Sequence, residues 1–402
     1  MRVLIIAQYF PPDMGGGATR AYNVAEGLSL AGCDVTVIAA FPHYPSGNIP
    51  PNYRKRLLKV EHEGKVKVIR TFVPPLASKG FTNRLLLFSS FGLSSLLALP
   101  FMKRIDVIWA ANPNIIAVFP SLIYRFVNRC QIFQNVDDLW PEALYDLGVS
   151  RHSLLAKLGR FVAKLAYGLS SGITPISPAY VDVLTNNYGV NRNKISVVLA
   201  GVDSRKFRCE KKQKKRDSFR VLYIGSFSPA YDFDQVLRAA KGLAPFSNVD
   251  FLIQGGGELA HELKAKVKAS ELNNVRVVEK IVSRDEVAEI MAEADALLLP
   301  LNGIGSIEMG ISSKLYEYQA AGKPILCCSN GQPGRYVLET KSGLVVNPGD
   351  SEMLLKSILC LTDDPAFAER LGNSGREYVK DNLSIKRIGS TMEQALNSIP
   401  RR

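Results

Sequence analysis

The sequence predicts an α/β protein built of two βαβ domains in tandem, and three observations carry that reading. Short apolar runs alternate with helix-patterned segments along the whole chain, which argues for parallel sheets covered on both faces. At 402 residues the chain is too long for one ordinary core. A basic stretch, "RKFRCEKKQKKRDSFR", separates two such series and carries nine Lys or Arg against two acids.

The first series opens with the strand "VLIIA", a helix over "TRAYNVAEGLSLAG" and the strand "DVTVIAA". It continues through "VKVIRTFV", an apolar helix, "DVIWAA", "NIIAVFPSLIYRFVN" and "CQIFQNV", and closes near "ISVVLAGVD". The second runs "RVLYIG", "DQVLRAAKGLA", "VDFLIQGGG", "HELKAKVKAS", "VRVVEKI", "RDEVAEIMAEA", "DALLLPL", "SSKLYEYQAAG", "KPILCC", "SGLVVN". The expected boundaries are a first domain over 1–203, a basic linker over 204–218, a second domain over 219–376 and a terminal helix over 377–402 that returns to the first domain.

An apolar share of 47% and a charged share of 22% exclude disordered and collagen-like chains. The net charge of +13 attracts polyanions: nucleic acid, anionic head groups or phosphorylated small substrates. Cys33, Cys130, Cys209, Cys327, Cys328 and Cys360 form no CxxC and have no His at zinc-finger spacing, so they read as reduced core residues of a cytosolic protein. His43, His62, His152 and His261 sit singly and read as surface residues. The N-terminal "MRVLIIAQYFPPD" is too short in its apolar part for a signal peptide and reads as a first strand. Leu85 to Met102 is harder to place: 18 uncharged residues flanked by Lys79, Arg84, Lys103 and Arg104. As a helix it reaches about 27 Å against roughly 30 Å of hydrocarbon, and its serines and Gly92 lower its hydrophobicity, so it reads as a buried or membrane-surface helix. A span there would split the first domain's own sheet.

The loop "PPDMGGGATR" lies between the first strand and the first helix. A dinucleotide fingerprint needs its glycines tight against the strand and an acid at the end of the second strand. Gly15 instead lies eight residues beyond Ala7, and the second strand ends "VIAAFPHY" without an acid. No Lys-Ser or Lys-Thr follows, which excludes a P-loop. Gly15, Gly16 and Gly17 are left opening a helix N-terminus whose free N–H groups and dipole favour an anion, with Arg20 in the first turn, or else forming a flexible surface loop. In "LPLNGIGSIEMGISSKLYEYQAAGKPIL" a strand runs into a Gly/Ser-rich loop, and Ser312, Ser313 and Lys314 open a helix carrying Glu317. That pattern suits a diphosphate followed by a ribose cis-diol, or a capped surface helix with a solvated Glu.

Together with "PISPAYVDVLTNNYGVNRNKISVVLAGVDSRKF" at the junction and "IQGGGE" in the second domain, these motifs resemble a GT-B glycosyltransferase of family 4, in particular its O-antigen, capsule and exopolysaccharide branch. The resemblance covers nearly the whole chain. It implies two Rossmann-like domains facing across a cleft, a terminal helix crossing back, a nucleotide-sugar donor such as a UDP-sugar held mostly by the second domain, and a lipid-linked or saccharide acceptor on the first. It implies donor contacts at Gly15, Gly16, Gly17, Gly225, Ser226, Ser312, Ser313, Lys314 and Leu315, with Glu317 as the ribose-binding end of the family's E-x7-E motif. The first Glu of that motif falls at Met309 here, one place after Glu308. The family's Arg and Lys after the second domain's first strand are replaced by Ser226 and Tyr231, which leaves Lys314 and Arg20 to carry the phosphate charge.

"NVDDLWPEALYDLG" matches the branch's "DLWPE". Asp138, at a strand end, is placed to orient or deprotonate the acceptor hydroxyl. Asp137 and Asp138 also read as a helix cap before Pro141, or as a metal pair, although no x-separated D-x-D and no nearby His supports the last. The implied reaction is a retaining hexosyl or N-acetylhexosaminyl transfer with no metal, no other cofactor and no nucleic acid. Its expected place is the cytoplasmic side of the cell membrane, in peripheral contact with anionic lipid. The rival readings are a nucleotide-sugar epimerase of the same fold and a basic nucleic-acid-binding protein.

Overall fold

A computed structural model describes residues 1–44, 46–77, 80–111, 115–142, 145, 148–207, 218–245 and 248–399. The chain divides into two units: Met1–Gly201 with Ile385–Arg402, and Val202–Ser384. Most of the expected basic linker, 208–217, lies outside the described residues; Ser204–Phe207 is a single 3-10 turn of the second unit.

The first unit holds seven strands: β1 Arg2–Ile6, β2 Asp34–Ala40, β3 Leu58–Glu63, β4 Val66–Thr71, β5 Val107–Ala110, β6 Gln131–Val136 and β7 Gly172–Pro175. Their order is β3-β4-β2-β1-β5-β6-β7, parallel except for the edge pair β3–β4. Among the described residues the helices that accompany them before the chain leaves the unit are α1 Gly16–Leu30, α2 Phe81–Ser95, α3 Val118–Asn128, α4 Leu154–Leu169 and α5 Ala179–Tyr188. The inner strands read as continuous apolar runs because helices cover both faces of a parallel sheet. On one face Leu4, Ile6, Ile38, Ile108 and Ile132 pack with Leu87 and Phe91 of α2 and Tyr124 of α3.

The apolar segment Leu85 to Met102 is two elements, α2 and a 3-10 turn over Leu96–Phe101. Residues 82–101 are long and apolar enough to cross a membrane by length and composition, with a third of the window buried. Leu87, Phe91 and Ala98 are buried, whereas Leu86, Leu93, Leu97 and Phe101 face out. The segment joins β4 to β5, two strands of one sheet.

The second unit is all parallel: β8 Phe219–Ser226, β9 Val249–Gly256, β10 Val275–Glu279, β11 Ala296–Pro300, β12 Ile325–Cys328 and β13 Gly343–Val346, in the order β10-β9-β8-β11-β12-β13. Its helices are α6 Phe233–Leu243, α7 Ala260–Ala269, α8 Arg284–Ala292, α9 Ser313–Ala321, α10 Gln332–Glu339, α11 Ser351–Asp363 and α12 Pro365–Asn382. Both sheets have the doubly wound order of a Rossmann fold, the first with β3 added at its edge.

The expected terminal helix over 377–402 is divided. Residues to Asn382 finish α12 in the second unit, and α13, Ile385–Asn397, belongs to the first. There α13 lies backbone to backbone on α1: a Cβ on Gly389 would sit 2.0 Å from the Gly27 carbonyl oxygen, and one on Gly27 2.8 Å from Gly389 Cα. The first unit's main segment ends at Gly201, within "ISVVLAGVD", as expected. Ile195 bridges to β7 and Ser196 and Val198 donate their N–H groups to its carbonyls, while Val202 donates its N–H to the Leu383 carbonyl at 2.9 Å, where the chain enters and leaves the second unit. Cys33, Cys130, Cys327 and Cys328 are free and buried as expected, but Cys360 is exposed. Cys209 lies outside the described residues.

Candidate functional site

In a doubly wound sheet, ligands bind at the carboxyl ends of the strands where the winding reverses. In the second unit that point lies between β8 and β11. β8 ends in Gly225 and Ser226, and the chain after β11 passes through a 3-10 turn, Gly305–Glu308, into the N-terminus of α9. Ser312 caps α9, its hydroxyl accepting the Lys314 N–H at 3.4 Å, with Ser313 the first helical residue.

Lys314 reaches back across the end of β8. Its Nζ donates to the Tyr231 hydroxyl at 3.1 Å and lies 5.1 Å from that ring's centroid. No carboxylate partners it among the described residues. Its charge is therefore held by two neutral groups beside a helix N-terminus, an arrangement that attracts an anion. Gly225 makes the room: its φ is +150°, and a Cβ there would fall 2.2 Å from Lys314 Cε and 2.8 Å from Nζ. Ser226 beside it is exposed.

One turn into α9, Glu317 points to the first residue of α8 and accepts an ion-paired hydrogen bond from Arg284. Arg284 has no motif of its own; the sequence shows only that it follows the Ser283 capping box. Leu315 differs from its expected role. Its side chain is fully buried and its N–H bonds the Ser312 carbonyl at 3.0 Å, so it offers a ligand neither. Glu308 accepts from the Ser329 hydroxyl at 2.6 Å, and that hydroxyl in turn receives the N–H groups of Gly331 and Gly334 at the start of α10. The other Glu308 oxygen is buried without a hydrogen-bond partner among the described residues.

In the first unit Gly15, Gly16 and Gly17 lead into α1. Gly15 is the N-cap with φ +119°, and no side chain caps that end. Gly15 and Gly16 are exposed. The loop before them is anchored, because buried Asp13 accepts the N–H groups of His43 and Tyr44 at 2.9 Å each. His43 is thus not a surface residue: it is 2% exposed and stacks on Tyr9. His62, His152 and His261 are exposed as expected.

Arg20 does not reach toward the α1 N-terminus. It is 2% exposed, and its guanidinium is spent on β6 and the chain beyond. Nε and Nη2 donate to Asn135 Oδ1 at 3.1 and 2.9 Å, Nη2 donates to the Val198 carbonyl at 2.8 Å, and Nε lies 2.8 Å from Asp137 Oδ1. Burying a guanidinium costs several kcal/mol in order of magnitude, so the partners that satisfy it fix its place. Arg20 therefore positions Asp137 and the end of β6. Burial pushes the Asp137 carboxyl up to about 6, against the opposing pull of Arg20. Asp138, the next residue, keeps contact with solvent, yet the protein around it raises its carboxyl, with the Arg84 guanidinium opposing. Among the described residues no three His, Cys, Asp or Glu side chains cluster as a metal site.

Two doubly wound units in one chain, the second with a lysine at a helix N-terminus that has no carboxylate partner among the described residues and a carboxylate one turn on, are the architecture of a GT-B fold. Residues 14–206 match the model for Glycosyltransferase Family 4, and residues 204–378 that for Glycosyl transferases group 1. The chain is a glycosyltransferase whose two halves belong to these families. It is 21% identical over 404 residues to a glycogen synthase of Mycobacterium tuberculosis, across 98% of this chain and 94% of that one. It is 24% identical over 224 residues to the O-antigen chain mannosyltransferase RfbU of Salmonella typhimurium, covering 56% and 60%. The solved structure of Anabaena Alr3699/HepE in complex with UDP superposes with a TM-score of 0.70 at 16% identity, over 99% of this chain and 100% of that one.

Proposed function

We propose that the protein is a retaining glycosyltransferase that moves a sugar from a nucleotide-diphosphate sugar to a hydroxyl of a lipid-linked glycan precursor, in surface polysaccharide assembly at the cytoplasmic face of the membrane. The observation that carries the reading is the Lys314 ammonium, held by Tyr231 and without a carboxylate partner among the described residues, where the second sheet's winding reverses. It suits the leaving diphosphate, beside the α9 N-terminus at Ser312 and Ser313 and the end of β8 at Gly225 and Ser226, and Glu317 one turn on is the carboxylate we assign to the ribose hydroxyls. The UDP complex of the Anabaena protein and the O-antigen chain for which the Salmonella mannosyltransferase is named support the donor and acceptor classes.

In such a transfer the protein has little covalent chemistry to perform. It stabilises charge on the leaving group and orients the acceptor. Lys314 and the α9 N-terminus serve the first task. Asp138, with its raised carboxyl pKa, serves the second by accepting a proton from the incoming hydroxyl, and Arg20 holds the neighbouring Asp137 in place. The glycines at the α1 N-terminus offer exposed N–H groups to a donor phosphate or sugar oxygen. Apolar exposure on α2 and its 3-10 turn, beside Lys103 and Arg104, supports contact with anionic lipid. The test is product analysis: incubation with nucleotide sugars and a membrane-lipid extract, with the new linkage read by NMR. An anomeric centre inverted relative to the donor, or release of free sugar alone, overturns the proposal.

A further inference from the structure

A recess of about 690 Å³ opens on the first unit at the end of the sheet away from Asp137 and Asp138. Its walls come from the segments that lead into β5, β6 and β7, at Ile105–Asp106, Cys130–Gln131 and Ser170–Ser171. β6 alone separates it from the Asp pair by about 20 Å, at roughly 3.3 Å per residue. Four cations line it: Arg104, Arg125, Arg129 and Lys194. None has a carboxylate partner among the described residues. Arg125 donates to the Leu169 carbonyl at 3.1 Å and Lys194 to that of Ser170 at 3.4 Å. The one acid in the wall, Asp106, is taken by Arg2, accepting its backbone N–H at 2.7 Å with the guanidinium 3.7 Å away.

The rim is apolar and open to solvent. Phe126, in the wall itself, is 88% exposed, and Val127 beside it 63%. α4 brings a row of exposed side chains, Leu154, Leu158, Phe161 and Leu165, spaced for one face of a helix that ends at the recess in Gly168 and Leu169. Phe101, adjoining through the Arg104 and Ile105 backbone, is exposed as well. A soluble anion has no use for these groups, and a nucleic acid strand would need a run of aromatics for successive bases, whereas Phe126 is the one aromatic among the described residues of the wall and the other apolar groups are mostly aliphatic. Cations in a recess and bare aliphatic and aromatic groups around it match a phosphate head group with its acyl chains beyond.

The geometry points to a head-group site: this recess binds the phosphate of an anionic phospholipid in a bilayer, and α3 and α4 lay their exposed apolar side chains into the interface. The inference rests on the membrane-surface reading above and names the residues that hold it, which are distinct from α2. It is tested by flotation and by titration of the full chain with phosphatidylglycerol and phosphatidylcholine vesicles. The wild type binds only the anionic vesicles. Arg104→Gln with Arg129→Gln weakens that binding by about tenfold or more, Phe126→Ser weakens it separately, and both variants keep the wild-type unfolding temperature and nucleotide affinity. A wild type that ignores anionic vesicles overturns this site and the surface reading together. A wild type that binds while both variants bind equally well overturns the site alone. Thermal stabilisation by inorganic phosphate that matches the vesicle effect and disappears in the double variant assigns the recess to a soluble anion and overturns the bilayer.

Discussion

Replacing Gly225 by alanine is the sharpest single test of the donor site, because the new methyl meets the one side chain on which the reading depends. A Cβ at Gly225 would lie 2.2 Å from Lys314 Cε. Lys314 is flexible at that end, so it yields, and its ammonium leaves the place fixed by the 3.1 Å bond to Tyr231. A charge-assisted hydrogen bond to phosphate is worth about 1.5–3 kcal/mol, so nucleotide affinity falls roughly 10- to 150-fold. The φ of +150° adds backbone strain of about 1–3 kcal/mol, seen as a lower unfolding temperature. Lys314→Ala separates the two effects, since it removes the ammonium without straining the backbone. Titration calorimetry with nucleoside diphosphates on both single variants and the double variant should give losses far from additive, the second change costing little after the first. Full affinity in Gly225→Ala, or losses that add, would falsify the assignment of Lys314 to the diphosphate.

The remaining expectations concern neighbouring parts of the machinery. Glu317→Ala should raise the nucleotide dissociation constant at least tenfold, about 1.4 kcal/mol, and Arg284→Ala by less, because it frees the carboxylate without removing it; calorimetry that finds Glu317→Ala unchanged refutes the ribose role. Transfer should persist in EDTA, and activity abolished by the chelator and restored by magnesium or manganese would make Asp137 and Asp138 metal ligands instead. Asp137 binds its proton more tightly in the folded state than in the unfolded chain, so the wild type loses stability relative to Asp137→Asn as pH rises from about 4 to about 6, by an amount on the order of 3 kcal/mol, and the difference is constant above; urea unfolding across that range showing a flat difference contradicts it. Gly27→Ala should destabilise the first unit by about 1–3 kcal/mol through overpacking against α13, read as a lower urea midpoint, and an unchanged midpoint means the helices separate freely.

What the sequence disclosed followed the range of the interactions. Lys314 and Glu317 are three residues apart on one helix, so their shared side was legible from spacing, as were the buried runs of β1, β2 and β11. β3 escaped because an exposed antiparallel edge strand, "LKVEHE", carries few apolar residues, and β7 because "GITP" is shorter than an ordinary strand. Arg20 was misplaced for a different reason. Its position in the first turn of α1 was visible, but Asn135 lies 115 residues on, and no local pattern reveals which way a long side chain turns. The same holds for Asp13, whose carboxylate serves backbone N–H groups 30 and 31 residues away.

The contact between Gly27 and Gly389 also sets an order of events on the ribosome. α1 is made before the second unit and α13 after it, with the whole of Val202–Ser384 synthesised between them. At roughly 5–20 residues per second that interval is about 10–40 s. Throughout it the side of α1 that carries Gly27 waits without its partner, and at its end the second unit has every residue it needs. The unit that comes second along the chain is thus the first that can be completed, and the growing chain must keep an open helix soluble until α13 emerges.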